Sequence, residues 1–188
     1  RLMNEESLEQ ARENAHRTNQ KITSAIPMSL AQREDRLLKQ IRRINGDALK
    51  KLGVLYSFMD ELYSFVAKFT PCKIGCDYCC HYKVTIIEPE VQYIEKAAKI
   101  TRRLAILNPE FSWQPCPFLK NSTCSIYKYR PFVCRKHITL CKTSTWCRVE
   151  KCNEVTLPMM AYSGIDTSYN FIAMESGSAT NQDIRCFF

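Results

Sequence analysis

Chemistry in this chain of 188 residues concentrates in its eleven cysteines. Four of them crowd into one stretch, Cys72-Lys-Ile-Gly-Cys76-Asp-Tyr-Cys79-Cys80. Cysteines three and four apart on a tight loop can aim their sulfurs at one point, and Gly75 permits the bend that this needs. Thiolates suit zinc and iron–sulfur clusters and are poor ligands for magnesium or calcium. One loop seldom supplies a complete coordination shell, so a second source of ligands is expected. It lies at residues 115–135: Pro115-Cys116-Pro117-Phe118-Leu119, then Cys124-Ser125-Ile126-Tyr127, then Arg130-Pro131-Phe132-Val133-Cys134-Arg135. The expected metal ligands are therefore Cys72, Cys76, Cys79, Cys80, Cys116, Cys124 and Cys134.

A disulfide framework is the rival reading. An odd count of cysteines would leave one thiol over, and dense disulfides are usual in small secreted domains that cannot build a core. This chain carries long apolar-periodic helices and does not need such staples. The adjacent pair Cys79-Cys80 is a poor arrangement for two bridges and an acceptable one for a metal loop. Metal ligation is favoured, which implies a reducing, cytoplasmic setting. The first residues, Arg1 to Glu6, lack the apolar stretch of a secretory signal.

The pairing of Cys-x3-Cys-x2-Cys-Cys with a later Cys-Pro-Phe-Leu, Cys-x-Ile-Tyr and Arg-Pro-x-x-Cys-Arg segment resembles the YkgJ-type cysteine-cluster family, known as a zinc- or iron-chelating domain. The resemblance covers Cys72 to Arg135 and implies a metal centre on those cysteines. The cysteine pattern is also similar to that of flagellin lysine-N-methylases, which are associated with an iron–sulfur cluster. With five glycines and no glycine loop for a nucleotide or S-adenosylmethionine, the chain gives no basis for carrying methyl transfer over. Many members of the family have Cys-x2-Cys where this chain has the x3 spacing, which leaves open which of the four cysteines ligate.

Structural zinc takes four ligands, often as two close-spaced knuckles. Cys76-x2-Cys79 fits one knuckle, but Cys116 to Cys124 is too wide for the second. Ligands at separated single positions, and the Cys116-Pro117 pairing, fit a 4Fe–4S cluster better, with zinc as the alternative. Cys141, Cys147 and Cys152 follow at loose spacings and could complete a second centre. Cys186 stands alone and reads as a buried small hydrophobe. His81 and His137 lie close to Cys80 and Cys134 and read as neighbours of the centre more than as ligands, whereas His16 lies in a polar, solvent-facing stretch. Arg130 and Arg135 could balance an anionic centre.

The formal net charge of +8 raises nucleic acid as a partner, as does Tyr127-x-Tyr129-Arg130-Pro131 with its aromatics beside basic residues. Nucleic acid is not favoured, however: Tyr127 and Phe132 are expected to cover the metal site and Arg130 to pair with a nearby acid or carbonyl. Bound thiolates would offset part of the excess. The basic run from Arg33 to Lys51 reads as a solvated helix face. A protein partner stays open, and no apolar run is long enough to span a membrane. No catalytic Ser/His/Asp set, carboxylate pair or phosphate loop emerges. Three function classes result: a metal-binding protein, a cluster-dependent protein-modifying enzyme, and a zinc-stabilised nucleic-acid or protein-binding module.

The elements that must position these cysteines are mainly α-helical. The expected fold is one domain, a small helical bundle with the irregular cysteine-rich metal-binding region packed at one end. Residues 1–27 read as a loosely attached polar helical arm, 28–70 as a helical hairpin, 71–152 as the cysteine region with one helix, and 153–188 as a tail that folds back. Ser29 is expected to cap a helix near 30–45 carrying Leu30, Leu37, Leu38, Ile41 and Ile44 on one face. Asp47 should cap the next, whose apolar residues recur at three- and four-residue steps from Leu49 to Phe69 before Pro71. Tyr82 to Ile87 leans towards a short strand. A third helix should start at Glu88-Pro89-Glu90 and run to about Leu107, with Asn108-Pro109 as its break.

Overall fold

The computed structural model describes residues 6–103, 111, 113–153, 155–178 and 182–188. The fold is mainly helical. Helix α1 (Leu8–Ala25) starts in a capping box: Ser7 Oγ accepts from the Gln10 amide, and the Gln10 side chain accepts from the Ser7 amide. The expected loose arm is in fact packed, with Ala11, Ala15 and Ile22 fully buried. Small residues four apart let the helix lie close to its neighbours. His16 is exposed, as read from its surroundings in sequence.

Helix α2 (Met28–Arg42) begins directly after Pro27 with no side-chain cap, so Ser29 lies inside the helix and is not its cap. Asp47 does cap helix α3 (Ala48–Val66), accepting from the Lys50 amide at 3.0 Å. A 3-10 turn at Ala67–Phe69 extends α3 to the predicted end. Helix α4 (Glu88–Ala98) stops well short of Leu107 because Lys99 turns left-handed, at φ 55°. Arg102 folds the chain back there, its amide and guanidinium both bonded to Glu95 and its guanidinium also to Glu88. The expected break at Asn108-Pro109 lies outside the described residues.

The cysteine region carries the short helices α5 (Phe132–Lys136) and α6 (Val149–Cys152), and the tail carries α7 (Ser163–Glu175). The predicted strand is present as β1 (Thr85–Ile86). It is completed by the tail, whose β4 (Gln182–Asp183) pairs antiparallel with it, Thr85 opposite Asp183. Strands β2 (Leu119–Lys120) and β3 (Thr123–Cys124) form a hairpin turned by Asn121 and Ser122, both at positive φ.

Helices α2, α3 and α7 pack together, with α4 and α5 on α3. Buried Glu34 of α2 accepts from the amides of Gly164 and Ile165 and so fastens the start of α7. Two hydrophobic clusters result. The larger lies among the helices around Leu37, Leu55, Met59, Leu62, Ile165 and Ile172. The smaller, around Val84, Ile86, Val91, Ile94, Phe118 and Ile184, backs the hairpin and the tail.

Glu90 joins these layers. Fully buried, it accepts from the Tyr56 hydroxyl of α3 (2.6 Å), the Phe132 amide at the start of α5 (2.7 Å), the Tyr169 hydroxyl of α7 (2.7 Å) and the Ile87 amide (3.0 Å). Burial raises its pKa, and the four donors pull against that. The basic run from Arg33 to Lys51 is mostly exposed, as a solvated helix face should be, and Lys51 is its one buried cation, held against Glu175. Arg33 pairs with Glu61 at the surface, and the Arg42 guanidinium stands over the Phe171 ring at 5.3 Å. No helix among the described residues is long and apolar enough to cross a membrane.

Candidate metal centre

All eleven cysteines stand as free thiols. The first cluster follows the end of α3. Gly75, at φ 91°, and a bond from the Cys76 amide to the Lys73 carbonyl (3.1 Å) form its turn. A 3-10 turn, Tyr78–His81, then carries Cys79 and Cys80 side by side, the Cys80 thiol hydrogen-bonded to Cys79. The Cys116 amide donates to the Cys80 carbonyl at 2.8 Å and so brings the second cysteine segment onto the first. Hairpin β2–β3 places Cys124, and the Glu90–Phe132 bond seats α5, which places Cys134.

These elements sort the seven expected ligands into two groups. Cys80, Cys116, Cys124 and Cys134 form the first. Cys134 is raised in pKa by burial and then by the thiols of Cys116, Cys124 and Cys80, which are close enough to act on it. Cys116, pushed up to about 11 mainly by burial, in turn feels Cys80 and Cys124. Cys116, Cys124 and Cys134 rest against the smaller hydrophobic cluster.

Cys72, Cys76 and Cys79 face the other way, lining a cavity of about 330 Å³ between α3, α5 and the residue 127–147 segment. Cys134 reaches its wall, and Cys147 closes it from a 3-10 turn, Thr145–Cys147. Three buried polar atoms on this cavity's wall have no hydrogen-bond partner: Tyr63 Oη, Arg130 Nε and His137 Nε2. Burial lowers the His137 pKa, which favours the neutral ring. His81 is half-buried at the end of its 3-10 turn.

The remaining cysteines lie elsewhere. Cys141 is buried against α1, its sulfur 4.0 Å from the Ala11 carbonyl. Cys152 donates to the Val149 carbonyl of its own helix. Cys186 is buried beside Ile184 and Phe187, in keeping with a small hydrophobe. Among the described residues no three His, Cys, Asp or Glu side chains are drawn closely enough around one point to hold a metal ion. Loading either group would therefore have to draw its loops inward.

Positive charge reaches the thiols by two routes. Arg130, its guanidinium stacked 3.9 Å from the Tyr127 ring, favours the thiolates of Cys72, Cys124 and Cys134 and so stands between the two groups. Arg185, which sequence reasoning missed, donates to the carbonyls of Cys80, Tyr82, Gln114 and Pro115 and pairs with Asp183. It favours the thiolates of Cys80 and Cys116. No local pattern marks it, because the tail reaches the site only through the β1–β4 pairing. Arg135 has a different task from the charge-balancing one expected. Buried against the Tyr56 ring, it is bonded to Asp60 and to the carbonyls of Lys128 and Arg130.

The donor chemistry fits a soft metal or cluster. Four thiols of the first group come from the 3-10 turn, the Pro115–Pro117 loop, the hairpin and α5. They are backed by apolar side chains and faced by two guanidiniums. Residues 71–155 match the CxxCxxCC family model, described as a putative zinc- or iron-chelating domain. No curated protein and no solved structure is similar enough to this chain to count as a match.

Proposed function

We propose, for a chain whose residues 71–155 carry a CxxCxxCC domain, that the domain binds iron as a 4Fe–4S cluster in a reducing, cytoplasmic setting. The observation that carries this reading is the gathering of Cys80, Cys116, Cys124 and Cys134 from four separate segments, with no close-spaced pair among the last three. Zinc ribbons and fingers draw on paired knuckles, whereas ligands at isolated positions suit a cluster. When bound, such a cluster supplies a one-electron redox centre whose potential follows net charge, hydrogen bonding and exposure.

The chain's own residues would govern those factors. Arg130 and Arg185 offset the negative charge of four thiolates, and Phe118 and Ile126 restrict water on the side of the smaller hydrophobic cluster. Because the sulfurs converge only in the folded chain, metal binding and closure of the loops would be one event. Electron or metal handling is the role this arrangement supports best.

The test is anaerobic purification followed by iron, acid-labile sulfide and zinc analysis, with the visible spectrum. The expected result is a brown protein with iron and sulfide in equal amounts, diminished in Cys124→Ser and Cys134→Ser. Colourless protein holding stoichiometric zinc and no iron would overturn the choice of metal and leave a structural zinc module. Folded protein holding neither metal would overturn the reading altogether.

A further inference from the structure

We propose that Cys72, Cys76, Cys79 and Cys147 form a second thiolate metal centre, separate from the first and open to the cavity that they line. The inference rests on the reading of the domain as metal-binding, but it concerns a different set of sulfurs and adds a ligand from beyond Cys134.

Thr139 is the observation that carries it. Its amide donates to Cys72 Sγ at 3.4 Å and its hydroxyl bonds the thiol of Cys147, so one buried residue gathers two cysteines seventy-five positions apart. Cys147 is held from the other side by the Tyr82 hydroxyl, which donates to its carbonyl at 2.6 Å. Cys72, Cys76, Cys79 and Cys147 all face the same cavity, and Cys80 does not. Thiol–thiol influence runs mainly within each group, and the two meet at the hydrogen-bonded neighbours Cys79 and Cys80. Cys147 is acted on by Cys72 and Cys76, whereas Cys134 is acted on by Cys116, Cys124 and Cys80. The adjacent pair Cys79-Cys80 is the divide, one residue turned to each side.

Three cysteines on a single loop plus one distant thiol is a common way to complete a four-sulfur shell. The cavity adds an open side that the first centre meets only at Cys134. It leaves the second centre facing a space of about 330 Å³ whose wall holds the unpartnered Tyr63 Oη, Arg130 Nε and His137 Nε2. A centre so placed is reachable by a small ligand or by a partner's redox group, whereas the first is packed against the smaller hydrophobic cluster.

The experiment counts metal per chain and maps cysteine protection. Anaerobically prepared holoprotein is analysed for iron, sulfide and zinc as the natural chain, as Cys147→Ser and as Cys124→Ser. In parallel the natural chain is alkylated before and after chelation, and the modified cysteines are identified by mass spectrometry. The expected natural chain carries two centres' worth of metal. Cys147→Ser should lose about half and keep the rest, and Cys124→Ser should lose the complementary half. Alkylation should reach Cys72, Cys76, Cys79 and Cys147 only after chelation.

Full metal content in Cys147→Ser, or Cys147 alkylated at the same rate with and without metal, would overturn the second centre. Loss of all metal in Cys124→Ser alone would overturn it while leaving the first centre standing. Metal-free natural protein would overturn both. Should Cys147→Ser fail to fold, the protection map on the natural chain decides.

Discussion

Glu90 offers the sharpest test of how this fold positions its cysteines. Two of its four donors, the amides of Ile87 and Phe132, are fixed by the backbone and cannot turn elsewhere. Glu90→Ala leaves both without an acceptor in a fully buried site. Each orphaned donor costs about 1–3 kcal/mol, so a loss of about 4 kcal/mol is expected before any cavity is counted. For a chain of this length that corresponds to a fall in Tm of roughly 8–16 °C. The assay is thermal unfolding followed by circular dichroism in reducing, chelator-treated buffer, which keeps metal out of the comparison. A variant melting within about 2 °C of the natural protein, given the size just argued, would refute the role assigned to these bonds.

Glu90→Gln adds a test of sign. Burial raises the folded pKa of Glu90 above its unfolded value, which for a glutamate is about 4.3. Between those two values the folded state holds a proton that the unfolded state has lost, so stability falls as pH rises through the window. Glutamine does not titrate there. The natural protein should therefore gain stability relative to Glu90→Gln as pH is lowered through the folded pKa, levelling off below the unfolded one. A gap that moves the other way would mean that the four donors outweigh burial.

Three further outcomes are expected. A Cβ at Gly164 would sit 2.2 Å from the Glu34 carbonyl oxygen, so Gly164→Ala must separate α7 from α2. Overpacking of this kind costs about 1–3 kcal/mol, and a Tm equal to the natural one would contradict the close approach. Arg185→Met removes the donor that ties the Cys80, Gln114 and Pro115 carbonyls and leaves half-buried Asp183 with only the amides of Val84 and residue 185 as donors, a loss of about 2 kcal/mol. It should speed metal loss to a competing chelator, and an unchanged rate would sink the claim that the tail holds the site. Burial pushes Cys116 to about 11 and Cys147 to about 12, so both are thiols at neutral pH and must shed protons on loading. Metal affinity should then fall as pH falls, by up to about tenfold per pH unit for each proton released. A pH indicator in a metal titration reads this, and release of fewer than two protons per centre would count against thiol ligation.

The helical layers were legible in sequence because amphipathic periodicity is a local property. The stripe from Leu49 to Phe69 predicts α3 and its extension, Asp47 predicts its cap, and Pro89 predicts the start of α4. Errors arose where a distant contact overrode local preference. The polar residues 1–27 conceal a face of Ala11, Ala15 and Ile22 that is buried by elements far along the chain. Helix α4 ends at Ala98 because Arg102 turns back to Glu95 and Glu88, an arrangement that apolar spacing does not encode.

For the site, residue type and spacing alone determined that the chemistry would be that of thiols, that two segments would supply them, and that Gly75 would bend the first. Only the tertiary structure decided how they are shared out. Cys79 and Cys80 are neighbours in sequence, yet a 3-10 turn shows one to the cavity and the other to Cys116. Thr139 and Arg185 carry no motif, because what they do depends on carbonyls and sulfurs brought to them by long-range packing. Spacing along a chain limits which sulfurs can meet on one loop. Which sulfurs meet across loops is set by where α5, the hairpin and the returning tail come to rest against the helical core.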